Sequence, residues 1–179
     1  MKTETTLSRP VRIVVIGAGN RAHKYLEYAR RNPEQLRLAA IVEVNDLRRR
    51  AMADAFGLPD KYCYAHYDDF FAEGLDADMV LISTPENAHF DPAVKAIDAG
   101  YHVLLEKPIA QHLEECPEIA RRARERGVMV GVCHVLRYHP YFAKIREIVA
   151  SGELGQVVSV NHTASVSLDR ATHSYVRGI

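Results

Sequence analysis

The stretch "VRIVVIGAGNRA", residues 11–22, decides the fold of this chain. An apolar run ending at Ile16 predicts a strand, two glycines follow, and an amphipathic pattern predicts a helix over about residues 21–31. In such a turn Gly17 allows the tight bend and Gly19 lets the backbone approach a pyrophosphate without a Cβ in the way. Ala22 keeps the helix close to the sheet. The alternative is an ordinary strand-to-helix turn that needs glycine only for its φ angles.

Short apolar runs alternate with helical patterns along most of the chain, which is typical of βαβ units and a parallel sheet. The run "DMVLIS", residues 78–83, is apolar on both faces, as in strands inside parallel sheets. Further strands are predicted over residues 36–44, 102–105 and 127–135, with a weak segment over 62–66. Helices are predicted over about residues 47–56, 68–71, 85–100 and 113–126. The fold class is therefore α/β, with a doubly wound parallel sheet.

The pattern changes near Arg137. A helix is predicted from Pro140 to about residue 150, and "QVVSVNHTASVSL", residues 156–168, alternates like an antiparallel strand with one wet face. We predict a dinucleotide-binding domain over residues 1–136 and the incomplete start of a second α/β domain over 137–179. One helix and one strand cannot bury a core of their own, so we expect the chain to be a fragment.

Composition and charge narrow the classes of function. The 179 residues are 47% hydrophobic, enough for one full domain core and part of a second. Lys plus Arg number 23 and Asp plus Glu number 23, so a net charge of zero disfavours nucleic acid and anionic membranes as partners. No stretch approaches the roughly 18 apolar residues of a membrane span. Three well-separated cysteines suit a reducing compartment, so we expect a cytoplasmic protein, and we predict no metal site.

Glu43 follows the second predicted strand, where a dinucleotide domain keeps the carboxylate that accepts the ribose hydroxyls. A 2′-phosphate there would meet a like charge, so we predict that NAD is preferred and NADP is less favoured. Two alternatives stay open. Glu43 can be an exposed strand-end acid, and Arg48, Arg49 and Arg50 on the next helix can accept a phosphate.

Three strand ends are predicted to meet at one crevice, after Ile16, after Ser83 and after Leu105, because ligands of open α/β sheets bind at the carboxyl ends of the strands. The segment "STPENAH" would put Pro85 beside a dinucleotide and direct His89 toward the same region. A histidine near a helix start can equally be a plain surface residue.

The segment "HVLLEKPIA", residues 102–110, ends a buried-looking strand on two opposite charges and a proline, which stops the ladder because it lacks an N–H. Lys107 would lie where the strand exits above the crevice. Its amine can hydrogen-bond a substrate hydroxyl and stabilise alkoxide character during oxidation, or act as a general base. Pro108 would fix the exit angle. The alternative is a solvated Glu106–Lys107 pair that caps the strand.

Taken in order, "GAGNRA", the acid after the second strand, "STPENAH", "AGYHVLLEKP" and "RYHPYF…SGELGQV" resemble the Gfo/Idh/MocA oxidoreductase family. The resemblance implies a nicotinamide-binding Rossmann domain, a second domain with an open antiparallel sheet, a sugar-like or polyol substrate and a homo-oligomer. It implies Lys107 as the catalytic lysine, with Arg137 and His139 matching the "R.hP" stretch. His173 is a second catalytic candidate only by default, and a surface role is its alternative. The implied cofactor-binding set is Gly17, Gly19, Asn20, Arg21, Glu43, Thr84, Pro85, His89, Glu106 and Lys107.

Our leading hypothesis is hydride transfer between C4 of NAD and a carbinol or carbonyl carbon of a sugar, cyclitol or related metabolite. The second hypothesis is a noncatalytic NAD-binding module or sensor. A methyltransferase that uses the glycine turn for a nucleoside fits the Glu-Lys-Pro segment poorly.

Overall fold

A computed structural model describes residues 8–165 and 168 of the chain. Up to Cys133 the described residues form one compact unit, and a second unit begins at His134. The first unit contains strands β1 (Val11–Ile16), β2 (Leu36–Val42), β3 (Cys63–Tyr64), β4 (Met79–Ile82), β5 (His102–Leu105) and β6 (Val130–Val132). Its helices are α1 (Asn20–Arg31), α2 (Asp46–Phe56), α3 (Tyr67–Glu73), α4 (Phe90–Asp98) and α5 (Glu115–Arg126).

All six strands pair in parallel in the order β3-β2-β1-β4-β5-β6. The chain moves outward from β1 to β3, then crosses back to place β4 on the other side of β1. Such a reversal opens a crevice at the carboxyl ends of the two central strands, which is where doubly wound sheets bind dinucleotides. The predicted Rossmann-type α/β fold is confirmed.

Strand β1 shows why the sheet is covered on both faces. Ile13 and Val15 point to one face, Val14 and Ile16 to the other, and all four are buried. The first face packs against apolar residues of α1 and α2, and the second packs against α3, α4 and α5. A strand buried on both sides needs an unbroken apolar run, as this sequence has.

Helix α4 begins later than predicted. The sequence pattern indicated a helix from residue 85, but a short 3₁₀ turn occupies Glu86–Ala88 and the α-helix starts at Phe90. The reason is Pro92, which has no N–H to donate to the carbonyl of Ala88. The Thr84 hydroxyl donates to that carbonyl instead, over 2.9 Å.

The second unit consists, in its described part, of a 3₁₀ turn over Val135–Tyr138 and helix α6 (Pro140–Ser151). The His139 side chain caps α6 by accepting from the N–H of Tyr141, and Gly152 ends the helix in the left-handed region. The antiparallel strand predicted over 156–168 is wrong for residues 156–165, which form no strand. A strand of this kind needs a hydrogen-bonded partner and an apolar layer to cover one face. The domain boundary after residue 136 stays a prediction.

Within residues 8–165, helices are all too short or too polar to cross a membrane.

Candidate functional site

The glycine turn is built by close backbone packing between the ends of β1 and β4. Gly17 has a φ of +93°, and a Cβ there would lie 2.8 Å from the Thr84 nitrogen and 2.9 Å from the Ser83 carbonyl. The Ser83 hydroxyl donates to the Gly17 carbonyl over 2.8 Å. Gly17 therefore serves the fold directly, since any side chain would collide with main-chain atoms that cannot move aside.

Gly19 has a different surrounding. It is the N-cap of α1, with a φ of −80°, and no described atom lies within 4 Å of the place where its Cβ would be. No side chain in the described part caps the helix, and the first turn of α1 contains no acid. Asn20 begins the helix and is exposed. Since no described group accepts from the N–H groups of the first turn, these N–H groups and the positive end of the helix dipole are available to an anion.

Glu43 lies directly after β2 and is 8% exposed. Its Oε2 accepts from the N–H of Ala18 over 2.8 Å and its Oε1 from the N–H of Asn45 over 2.9 Å. The carboxylate thus ties the glycine turn to the loop after β2 and is not a free surface acid. Each carboxylate oxygen has a second lone pair, so hydroxyl donors can still be bound.

The three arginines behind Glu43 differ in their contacts. Arg49 donates to the Glu43 carbonyl over 2.6 Å and pairs with Asp46, which also pairs with Arg50. Arg48 is exposed and, in the described residues, makes no ion pair. Two of the three candidate phosphate ligands are therefore already engaged with one carboxylate.

Thr84 and Pro85 lie in the loop after β4, beside the glycine turn, and Pro85 is exposed. His89 is buried instead, at 1% exposure. Its Nδ1 lies 2.7 Å from the Pro108 carbonyl oxygen and its Nε2 lies 3.0 Å from the Thr84 carbonyl oxygen. Both ring nitrogens already face protein acceptors, so the ring does not offer a free polar atom to a cofactor as its predicted role requires.

Lys107 leaves the carboxyl end of β5 and is exposed. Its peptide bond to Pro108 is cis. Its amine makes no ion pair with any residue in the described part of the chain, whereas the neighbouring Glu106 is 5% exposed. The alternative of a solvated pair capping the strand is therefore wrong, because the acid is buried and the amine is not held by it.

The Glu106 carboxylate is bound from two elements. Its Oε1 accepts from the Tyr25 hydroxyl over 2.6 Å and lies 3.5 Å from Arg21 Nε, and its Oε2 accepts from the Lys107 N–H over 2.9 Å. Burial raises the pKa of Tyr25, and hydrogen bonds to the Cys133 thiol and the Glu106 carboxylate raise it further. The phenol therefore stays protonated. Tyr25 was not among the predicted site residues. Its place one helical turn after Arg21, on the same face of α1, was the available signal.

Most of the predicted site residues therefore lie at the carboxyl ends of β1, β2, β4 and β5. The open start of helix α1 is surrounded by Gly17, Gly19, Glu43 and Thr84. This arrangement fits a dinucleotide. His173 lies outside the described residues. No group of three histidine, cysteine or acidic side chains that could hold a metal occurs in the residues that the structure describes.

Comparison with known proteins agrees with the Rossmann-type fold. The profile described as "Oxidoreductase family, NAD-binding Rossmann fold" matches residues 11–134. D-xylose 1-dehydrogenase (NADP(+)) 2 of Haloferax volcanii is 35% identical over 130 residues, which are 73% of this chain and 39% of that protein. An uncharacterized oxidoreductase of Rhizobium meliloti is 32% identical over 160 residues, 89% of this chain and 47% of that protein. The chain thus spans less than half the length of these relatives.

Among solved structures, an inositol dehydrogenase homolog from Azotobacter vinelandii, in complex with NADH and myo-inositol, has a TM-score of 0.71 and 26% identity. The match covers 84% of this chain and 42% of that one. The WlbA dehydrogenase of Bordetella pertussis, with NADH and UDP-GlcNAcA, has a TM-score of 0.76 at 23% identity and covers 83% and 42% of the two chains; it shows the fold alone. Since the profile covers well over half of its length, the chain belongs to the Gfo/Idh/MocA oxidoreductase family with its NAD-binding Rossmann fold.

Proposed function

We propose that the natural protein transfers a hydride between a nicotinamide cofactor and a carbinol or carbonyl carbon of a sugar, cyclitol or related polyol. The observation that carries this proposal is the exposed amine of Lys107 at the end of β5, in the same row of strand ends as the glycine turn. The relatives named for D-xylose and inositol support the substrate class.

The bound cofactor would supply the hydride acceptor or donor at its C4 atom. Gly19 and the first turn of α1 would hold the pyrophosphate through backbone N–H groups. Glu43 would accept the adenosine ribose hydroxyls while keeping its two backbone hydrogen bonds. Its negative charge disfavours a 2′-phosphate, so NAD is the proposed cofactor, although a relative at 35% identity is named for NADP.

Lys107 would act on the substrate. Its amine would hydrogen-bond the reacting oxygen, stabilise negative charge on it, and exchange the hydroxyl proton as the carbon is oxidised or reduced. An exposed amine without an ion pair in the described residues has its donors available for this contact.

The cysteines support a reducing compartment. Cys63, Cys116 and Cys133 are all free thiols. Disulfides are rare in the cytosol and common outside it, so we assign the protein to the cytoplasm. Homo-oligomerisation stays a prediction.

The test compares wild type and Lys107→Ala in the natural protein. NAD⁺ reduction is followed by absorbance over a panel of aldoses, cyclitols and linear polyols, and NADH affinity is measured by calorimetry. We expect turnover on at least one polyol, a fall of about 10²-fold or more in kcat for the variant, and nearly unchanged NADH affinity. Turnover that survives the substitution would remove Lys107 from the mechanism, and NADH binding with no turnover on any of the panel would favour the noncatalytic module.

A further inference from the structure

The turn that carries Lys107 has little main-chain support of its own. The last ladder bond of β5 runs from the Glu106 N–H to the Ile82 carbonyl over 3.0 Å. Beyond it, no backbone–backbone hydrogen bond involves residues 107–111, as far as residues 8–165 show. The position of the lysine therefore depends on side chains that hold the turn.

The first such anchor comes from α1. The Tyr25 hydroxyl holds the Glu106 carboxylate over 2.6 Å, and the other oxygen of that carboxylate accepts from the Lys107 N–H over 2.9 Å. Tyr25 and the lysine main chain are thus joined through one buried acid. Helix α1 is also the helix whose first turn follows Gly19, so this anchor links the lysine to the glycine turn.

The second anchor comes from the loop between β4 and α4. His89 places one ring nitrogen on the Pro108 carbonyl and the other on the Thr84 carbonyl, at 2.7 and 3.0 Å. Carbonyl oxygens only accept hydrogen bonds, so the ring is the donor. A neutral ring donates to one of them, and an imidazolium donates to both. In either state the buried ring lies between the lysine turn and the loop beside the glycine turn, with a nitrogen within 3.0 Å of a carbonyl oxygen on each side.

The direction of a long, exposed lysine side chain depends on the position of its main chain. Displacing a reacting group by about 1 Å can cost a factor of about 10² in rate. Residues that contact the substrate directly must therefore be held in place by buried supporting groups. We propose that Tyr25 and His89 are positioning residues that fix the main chain of Lys107 over the dinucleotide crevice. This inference rests on the proposed function, and it assigns His89 to the support of the lysine instead of to the cofactor.

The test follows the reactivity of the Lys107 amine in this chain, without turnover. Each variant is acetylated with a water-soluble succinimidyl ester, with and without saturating NADH, and the rate at Lys107 is read by mass spectrometry. The ratio of the two rates measures how far the bound dinucleotide shields the amine. The test variants are Tyr25→Phe, which keeps the ring and removes the hydroxyl, and His89→Gln.

Two matched controls are available in the same compact unit. Tyr64→Phe removes a tyrosine–carboxylate hydrogen bond of the same 2.6 Å length, to Glu73. His102→Gln changes a histidine at the opposite end of β5, where its Nδ1 accepts from the Met129 N–H. Thermal unfolding and the NADH dissociation constant are measured for every protein, and labelling is done well below each midpoint.

We expect NADH to slow acetylation of Lys107 strongly in wild type and both controls, and to lose most of that effect in Tyr25→Phe and His89→Gln. The NADH dissociation constant should change by less than about threefold, less than 1 kcal/mol. If NADH shields the Lys107 amine in the folded variants as it does in wild type, the inference is overturned and the proposed function still stands. A parallel loss of NADH affinity would make the two residues binding residues and also overturn it. If His89→Gln does not fold, Tyr25→Phe decides, because its packing is unchanged.

A wild-type chain that binds no NADH would instead overturn the proposed function, and the inference with it.

Discussion

The two glycines of the turn should respond in opposite ways to the same substitution. In Gly17→Ala the new Cβ would meet main-chain atoms of Ser83 and Thr84 at 2.8–2.9 Å, at a φ of +93°. In Gly19→Ala the Cβ would meet no described atom within 4 Å, at an ordinary φ of −80°. Gly17→Ala should therefore lower the stability of the fold, whereas Gly19→Ala should lower the affinity for NADH.

The magnitudes follow from these surroundings. For Gly17→Ala, left-handed backbone costs about 1–2 kcal/mol and overpacking about 1–3 kcal/mol. The less flexible unfolded chain offsets about 0.4–1 kcal/mol, so the free energy of unfolding should fall by about 1–5 kcal/mol. For Gly19→Ala the same offset opposes a weaker N-cap, and the free energy of unfolding should stay within about 1 kcal/mol of wild type.

Urea unfolding measures the free energy of unfolding, and calorimetric titration with NADH measures the affinity for the cofactor. Gly19→Ala should bind NADH about tenfold more weakly or worse, a loss of at least about 1.4 kcal/mol, because its Cβ stands where the pyrophosphate approaches the backbone. Unchanged NADH affinity in Gly19→Ala would refute the assignment of that open space to the cofactor. Wild-type stability in Gly17→Ala would refute the packing argument.

Two further outcomes are expected. In Glu43→Gln the ratio of the NADPH to the NADH dissociation constant, measured by fluorescence titration, should fall because the like charge is gone. The free energy of unfolding should drop by about 1–3 kcal/mol because the glutamine amide has one acceptor oxygen, so the N–H of either Ala18 or Asn45 loses its partner. An unchanged ratio of the two dissociation constants would contradict the ribose role of Glu43. The hydrogen bond from Arg9, aided by the N–H of Arg12, lowers the pKa of Asp78. Since the folded pKa is the lower one, the stabilisation is present above the unfolded pKa of about 3.9 and is lost as pH falls through the folded pKa. The stability gap between wild type and Asp78→Asn should therefore be largest near neutrality and close in acid, and a gap independent of pH would be contrary.

Local sequence patterns predicted the sheet and its crevice well because they depend on neighbouring residues. The apolar run into Gly17 and Gly19 specifies a strand, a turn and a helix start within residues 11–22. The alternation of strands and helices then predicts a parallel sheet, and the glycine turn in the first βα unit favours the doubly wound order. Glu43 could be placed in the same way, as the residue after the second strand.

What the sequence could not show depends on which faces meet in space. Tyr25 reads as one residue of an amphipathic helix, and only the packed structure shows that it reaches the acid after β5. His89 resembled a residue of the cofactor loop, yet its ring is turned inward onto two carbonyls. The strand expected over 156–168 depends on a partner that no local pattern supplies.

If the dinucleotide and the Lys107 amine share one crevice, a crystal structure of the chain with NADH will show the pyrophosphate against Gly19 and the first turn of α1, with the nicotinamide ring between Thr84 and Lys107. A dinucleotide bound elsewhere, or a lysine amine directed away from the nicotinamide, would show that the two do not share it.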